Sequence, residues 1–179
     1  MNIQPNIFIT ADTHFGHEKQ VTLWGKRPPE FEKIIVDNWN STVKKGDTVL
    51  HLGDLTMTNK ENTFNWTSKL NGNKFLIRGN HDEASDTWYS DCGFQVIPPS
   101  YKKFSDKHVN IYNVLFTHEP VVPLPQGNWF NIHGHLHGDS HRLELKSDRH
   151  YDAGVDPRNF TPVRLAEILV FFKSMLSPK

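Results

Sequence analysis

The chain has 179 residues, which predicts a single domain over residues 1–179 with enough buried surface for a substantial core. Lys plus Arg and Asp plus Glu number 20 each, so the formal net charge of zero argues against strong binding to duplex nucleic acid and against an acidic solvating tail. Cys92 is the single cysteine, which excludes an internal disulfide and a thiolate-rich zinc site and indicates a reducing compartment.

The first ten residues, MNIQPNIFIT, lack the positive charge and the long apolar run of a secretory signal. No stretch of the chain approaches the roughly 18 consecutive apolar residues of a membrane-spanning helix. The sequence therefore predicts a cytoplasmic protein without membrane attachment.

The first half of the chain predicts alternating strands and helices. Short apolar runs at 6–11, 47–53 and 73–79 are typical of buried strands. Between the first two, the segment 30–43 predicts an amphipathic helix, whose apolar stripe consists of Phe31, Ile34, Ile35, Trp39 and Val43. In the next connection, Thr58 is a candidate N-cap answered by Glu61, which predicts a helix extending to Leu70. This order favours parallel βαβ units.

The second half predicts a different sheet. The runs at 94–104, 108–118 and 129–135 are strand-like and have no helical spacers, which favours a more antiparallel, hairpin-linked sheet packed on the first. Near the end, Pro162 is a candidate first helical residue, and an apolar stripe predicts a terminal helix that covers one sheet. The predicted fold class is α/β, with two packed sheets and flanking helices.

Each of five predicted strands is followed by side chains of the types that bind metals. These are Asp12 and His14, Asp54, Asn80, His118, and finally His135 and His137. Because the carboxyl ends of such strands gather at one edge, residues far apart in sequence are brought into one site. Individually, each has an ordinary alternative: a helix cap, a turn, a strand-end histidine or, for the HGHLHG stretch at 133–138, a polar turn or a biased tract. Their occurrence at five strand ends, without sulfur, favours a metal site.

Seven donors exceed what one tetrahedral zinc ion uses, so the set predicts two ions, with one carboxylate bridging them. Mixed imidazole, carboxylate and amide ligands suit Mn, Fe, Zn or Ni, among which we favour Mn. Two such ions can clamp a displacement at phosphorus. The predicted chemistry is therefore the hydrolysis of phosphate esters.

The blocks that carry these residues resemble the motifs of the calcineurin-like metallophosphoesterases. In this chain they read DTH at 12–14, GD at 53–54, GNHD at 79–82, TH at 117–118 and GHLH at 134–137. The resemblance implies a β-sandwich in α/β/β/α layers, with a dinuclear centre bridged by an aspartate and by a water or hydroxide. Thr117 departs from the glycine of many members, and the chain lacks the long insertions that build a lid. The DTHFGH opening, with KRP soon after, is similar to a small bacterial or phage branch.

The resemblance also implies a role for each matching residue. The first metal would be held by Asp12, His14 and His137. The second would be held by Asn80, His118 and His135. Asp54 would bridge the two ions, while His81 would face the substrate as a catalytic residue with Asp82 as its orienting neighbour. His133 is left with a structural or supporting role, and Gly134 and Gly138 would let the backbone turn closely round the centre.

The favoured function is hydrolysis of a small phosphate ester, possibly a nucleotide, by a phosphodiesterase with an open site. A phosphomonoesterase acting on nucleotides or proteins is the alternative; a nuclease and a non-catalytic scaffold on the same fold are less favoured. Arg27, Arg78 and Arg142 are candidate contacts for the substrate phosphate, although each also fits a solvated surface arginine. The isolated histidines His51, His108, His141 and His150 have no partner at a telling spacing, and the sequence does not indicate an oligomeric state.

Overall fold

The computed structural model of this chain describes residues 6–23, 26–105, 111–139 and 148–176. In chain order its elements are β1 (Ile7–Thr10), α1 (Lys19–Thr22), α2 (Phe31–Thr42), β2 (Thr48–His51), α3 (Lys60–Thr67), β3 (Asn73–Leu76), α4 (Asp86–Asp91), β4 (Phe94–Val96), β5 (Ser100–Ser105), β6 (Ile111–Phe116), β7 (Trp129–His133), β8 (His150–Asp152), a 3₁₀ helix (Asp156–Arg158), β9 (Val163–Arg164) and α5 (Leu165–Leu176).

The first sheet has the strand order β4-β3-β2-β1-β9. Strands β1 to β4 are parallel, as the alternation of strands and helices predicts, and β9 pairs antiparallel with β1. Thr10 is in register with His51, and His51 with Leu76. The loops that follow these three strands therefore leave the sheet at the same edge.

One apolar core lies between the first sheet and its helices. From α2, Phe31, Ile35 and Trp39 are buried together with Phe8 and Val49 of the sheet. The indole nitrogen of Trp39 donates to the carbonyl of Asn71 at 2.9 Å, so the buried ring leaves no polar group unpaired. Helix α2 confirms the amphipathic segment expected from the sequence.

The second sheet has the order β5-β6-β7-β8. Strands β5 and β6 form an antiparallel pair, but β6, β7 and β8 run parallel to one another. The prediction of a mainly antiparallel, hairpin-linked sheet is therefore wrong. The segment 117–128 returns the chain to the start of the sheet without a helix, so the helical spacer used to predict parallel strands is missing here.

A second core joins the two sheets. Ile9 of β1, together with Leu52 and Ile77 directly after β2 and β3, belongs to one buried cluster with Val114 and Phe130 of the second sheet. Helix α5 closes this core, where the rings of Phe130 and Phe172 stack with centroids 4.4 Å apart. Two sheets flanked by helices confirm the predicted fold class.

Two helices begin at different residues from those predicted, and helix α4 was not predicted. Helix α3 is capped by Asn59, whose side chain accepts from the backbone nitrogen of Asn62, rather than by Thr58. Pro162 precedes strand β9 instead of opening α5, because Val163 pairs with Ile9 and the helix begins only at Leu165. Helix α4 was not expected from periodicity, because it is only six residues long.

No helix within the described ranges is long and apolar enough to cross a membrane.

Candidate metal centre

Loops from both sheets converge at the carboxyl ends of β1, β2, β3, β6 and β7. The backbone nitrogen of Asp12 donates to the carbonyl of Gly53 at 2.9 Å, and that of Gly134 donates to the carbonyl of His118 at 2.9 Å. These bonds join neighbouring loops within each sheet. The backbone nitrogen of His135 in turn donates to the Asp12 carboxylate at 2.9 Å, which links the two sheets. The strand-end clustering predicted from the sequence is present.

Most of the candidate metal ligands have backbone dihedral angles in the left-handed region. Among the described residues, eight other than glycine have positive φ, and five of them are candidate ligands: Asp12, His14, Asp54, His135 and His137, with φ from 46° to 70°. Such conformations are uncommon outside glycine, although Asp and His tolerate them better than most residues. Each costs free energy and persists only where the surrounding structure imposes it, as at functional sites. The sharp turns aim these side chains at a common centre.

The first cluster contains Asp12, His14 and His137, whose ligand atoms all lie within 4.8 Å of one another. Both ring nitrogens of His14 are buried and have no hydrogen-bond partner among the residues that the structure describes. Burial, followed by the neighbouring His137 and Arg27, lowers the pKa of His14 far below its usual range, so the ring is neutral. A buried neutral imidazole with an unsatisfied lone pair fits a metal ligand.

The second cluster contains Asn80, His118 and His135, and ligand atoms of the two histidines lie within 4.8 Å of each other and of a carboxylate oxygen of Asp54. The amide oxygen of Asn80 lies 2.9 Å from His118 Nε2 and 3.0 Å from His135 Nδ1, and the two ring nitrogens are 3.2 Å apart. His118 Nδ1 donates to the carbonyl of Leu52 at 2.8 Å, which leaves a lone pair on Nε2 in the neutral ring. Nε2 of His118 and the amide oxygen of Asn80 are then both acceptors, which do not bond each other, whereas a cation between them would bind both.

Asp54 lies between the two clusters. Its Oδ2 atom is 3.5 Å from Nε2 of His14 and 3.5 Å from Nε2 of His118. Its Oδ1 atom accepts from the backbone nitrogen of His81 at 3.0 Å, which fixes the carboxylate. One oxygen therefore faces a histidine of each cluster.

The negative charges of the centre require compensation. Burial, the nearby Asp54 and then Asp152 raise the pKa of Asp12 well above its usual range. Neighbouring carboxylates repel one another when no cation lies between them, and this repulsion raises their pKa values. A bound divalent ion would lower those pKa values again. The donor set thus fits two metal ions.

Two glycines allow the loops to approach this closely. A Cβ atom built on Gly79 would lie 2.2 Å from Oδ1 of Asp54, and one built on Gly134 would lie 2.6 Å from Oδ2 of Asp12. Both positions therefore exclude any side chain. Gly134 is one of the two glycines expected from the sequence to turn round the centre.

Asp82 does not have the surroundings predicted for it. Its carboxylate accepts from the backbone nitrogens of Asp54, Leu55 and Gly79 at 2.7, 3.1 and 2.8 Å, and from the hydroxyl of Tyr89 at 3.3 Å. Four donors occupy its two oxygens, so it ties the β2 loop to the β3 loop instead of orienting His81. The sequence pattern missed this because neighbours in a turn can point in opposite directions.

Two of the three arginines predicted to contact the substrate phosphate bind other groups of the protein instead. Arg27 is only 3% exposed and pairs with Asp156, with 2.7 Å between Nη2 and Oδ2. Arg78 donates to the carbonyls of Asp82 and Ala84 and pairs with Asp86. Both arginines hold loops together, which corrects their assignment as substrate contacts. Arg142 lies outside the described residues.

A cavity of about 470 Å³ opens beside the first cluster. Its described lining consists of His14, His17, Lys19, Gln20, Lys26, Met57, His81 and His137. The exposed His81 imidazole lies near the first cluster, with its ring centroid 5.5 Å from that of His14. Lys19 and Lys26 were missed as functional candidates because single lysines in a polar segment have no spacing signal.

Three other histidines lie outside the two clusters and form hydrogen bonds to neighbouring protein groups. His51 is fully buried, its Nε2 lies 3.0 Å from the hydroxyl of Thr13, and burial lowers its pKa to about 3. His133 pairs with the carbonyl of Gly134 at 2.8 Å, and His150 Nε2 with the carbonyl of Val121 at 3.0 Å. His108 and His141 lie outside the described residues.

Comparison with known proteins gives one family. The sequence profile described as calcineurin-like phosphoesterase matches residues 5–165. An uncharacterized protein of Methanocaldococcus jannaschii is 28% identical over 170 residues, which cover 89% of this chain and 86% of that protein. The gene 66 protein of Mycobacterium phage D29 is 31% identical over 175 residues, covering 84% of this chain and 88% of the phage protein.

A solved structure has a similar fold along nearly the whole chain. It is a protein of unknown function from Aquifex aeolicus, with a TM-score of 0.69 and 26% sequence identity. The match covers 93% of this chain and 99% of the other.

Proposed function

Because this chain belongs to the calcineurin-like phosphoesterase family and is a phosphoric ester hydrolase, we propose that it is a dinuclear, metal-dependent phosphodiesterase of small phosphate esters. The observation that carries the proposal is the position of Asp54, whose Oδ2 lies 3.5 Å from a histidine of each cluster. Two clusters that share a carboxylate suit a pair of ions acting on one phosphoryl group.

In this proposal, each cluster holds one divalent ion. The first ion would be held by Asp12, His14 and His137, and the second by Asn80, His118 and His135. Asp54 would be shared between the two sites, and Mn is favoured because the ligands mix imidazole, carboxylate and amide groups. When bound, the two ions would activate a water molecule and neutralise the phosphoryl oxygens.

His81 supplies the remaining chemistry. Its backbone nitrogen is anchored on Asp54 at 3.0 Å, whereas its exposed imidazole lines the cavity beside His14. From there the ring can donate a proton to the leaving oxygen of a bound ester.

The cavity supports a diester rather than a monoester. The cavity beside the first cluster has room for the second ester group of a diester. Lys19 and Lys26 line this cavity and would attract an anionic substituent. A nucleotide fits this description. Comparing an aryl diester with the matching aryl monoester tests the choice, because a phosphomonoesterase would turn over the monoester faster. A scaffold function is disfavoured because the full donor set and His81 are present.

Metal removal gives the first prediction. Chelation is expected to abolish hydrolysis of bis-nitrophenyl phosphate, and added Mn or Ni to restore it, because all proposed ligands are nitrogen or oxygen donors. Elemental analysis of the reloaded protein should approach two ions per chain. Undiminished turnover after verified metal loss would rule out the dinuclear proposal, and a ceiling of one ion would contradict the bridge.

The second prediction concerns the two lysines that line the cavity. Replacing Lys19 and Lys26 together by alanine is expected to raise KM for a nucleotide diester by about three- to fivefold while kcat is kept, as for exposed charge pairs. The effect should shrink in high salt, because exposed charges are screened. Lys33→Ala on α2 is the control, since that side chain pairs with Asp37 at 2.8 Å outside the cavity. An unchanged KM in the double variant would exclude these lysines from substrate binding.

A further inference from the structure

A partly buried ion pair between Arg27 and Asp156 lies beside the first cluster. Nε and Nη2 of Arg27 donate to the two carboxylate oxygens of Asp156 at 2.8 and 2.7 Å. Nη1 and Nη2 also donate to the carbonyls of Thr13 and Asp12, at 2.8 and 2.6 Å. The guanidinium therefore joins the 3₁₀ helix to the turn that carries Asp12 and His14.

The same carboxylate also contacts a candidate ligand. Oδ2 of Asp156 lies 2.7 Å from Nδ1 of His137, so the ring N–H donates to the carboxylate. The group is thus a carboxylate that accepts three donors: Nε and Nη2 of Arg27 and Nδ1 of His137.

We propose that Asp156 is a positioning residue for the first metal ion. By accepting from Nδ1, it keeps His137 in the tautomer whose lone pair is on Nε2, the nitrogen that would face the ion. Through Arg27, it holds this ring at a fixed position relative to Asp12 and His14. The inference rests on the proposed metal centre and adds a residue that the strand-end pattern does not contain.

The contacts of Asp156 hold together the two segments that supply the first metal site. The three ligands of the first ion come from two separate segments, the turn after β1 and the loop after β7. A carboxylate that orients a ligating histidine also raises the basicity of its other nitrogen, and such partners change metal affinity by about 10–100-fold. The Arg27–Asp156 pair supplies both the orientation and the tie between the segments.

The test uses Asp156→Asn and ¹¹³Cd²⁺ as the probe. An asparagine has the same size, but its single amide oxygen cannot accept all three donors. We expect the cadmium affinity of one site to fall by about 10–100-fold, with the other site unchanged, in calorimetric titration. In ¹¹³Cd NMR spectra, one of the two resonances should shift or vanish. Asp86→Asn is the matched control, because it removes the exposed ion pair with Arg78 and should leave both sites intact.

Unchanged affinity and unchanged cadmium resonances in Asp156→Asn would overturn the inference, and so would equal weakening of both sites. A measurement on the unaltered protein covers the case in which the variant does not fold. Long-range ¹H–¹⁵N spectra, recorded with and without cadmium, should find His137 protonated at Nδ1, and protonation at Nε2 would refute the assignment. Because the metal-free spectrum reports the tautomer by itself, failure of the unaltered protein to bind two ions would count separately, against the proposed centre.

Discussion

Asp54→Ala is expected to lower the occupancy of both metal positions and to abolish hydrolysis. The Oδ2 atom of Asp54 lies 3.5 Å from a histidine of each cluster, so its removal takes a ligand from both ions. Losing a partner that only supports a ligand costs about 10–100-fold in affinity. We expect a larger loss here, at both sites, because the missing group is itself a proposed ligand. Elemental analysis and anomalous scattering at each position measure the result.

Two further variants make the bridging assignment specific. His118→Ala should mainly deplete the second position, because its contacts within 3.2 Å are to Asn80, His135 and the carbonyl of Leu52. Asp54→Asn keeps an oxygen but loses the charge, so its occupancies should fall between those of the unaltered protein and Asp54→Ala. Full occupancy of both positions in Asp54→Ala would show that the bridge is wrongly assigned.

The position of the centre could be predicted from the sequence because parallel strands impose it. Thr10, His51 and Leu76 are in register, so the residues that follow β1, β2 and β3 must leave the sheet together. The apolar runs, together with the rule that parallel strands end at one edge of the sheet, are sufficient to predict this position. The second sheet contributes in the same way, even though its strand directions were predicted wrongly.

What surrounds the centre could not be predicted, because it depends on contacts between distant segments. Arg27 pairs with Asp156, 129 positions away, and no local spacing indicates that an arginine near a polar loop becomes buried. Asp82 follows His81 directly, yet its carboxylate turns toward backbone nitrogens of the β2 loop. Periodicity reports which face of an element is apolar, but it does not report which polar groups meet in a turn.

His81→Ala is expected to keep both metal ions and to slow the hydrolysis of alkyl esters by about 10²- to 10⁴-fold, the usual contribution of a general acid. This corresponds to roughly 3 to 5 kcal/mol of transition-state free energy. The metal centre should remain intact because the bond from residue 81 to Asp54 is made by the backbone nitrogen, which alanine retains. Metal analysis of the variant checks this first, since loss of metal would instead make His81 a ligand.

The leaving group then separates proton donation from simple binding of the phosphate. A nitrophenolate departs readily as an anion and needs little protonation, whereas an alkoxide needs a proton as the bond breaks. The rate loss in His81→Ala should therefore be much smaller for nitrophenyl esters than for alkyl esters. His17→Ala provides the comparison, because His17 lines the same cavity near His14 but does not belong to the turn that contains Asn80. The rate loss in His17→Ala should be equal for both esters. An equal loss for both esters in His81→Ala, with both ions still bound, would make His81 an electrostatic contact to the phosphoryl group instead of an acid.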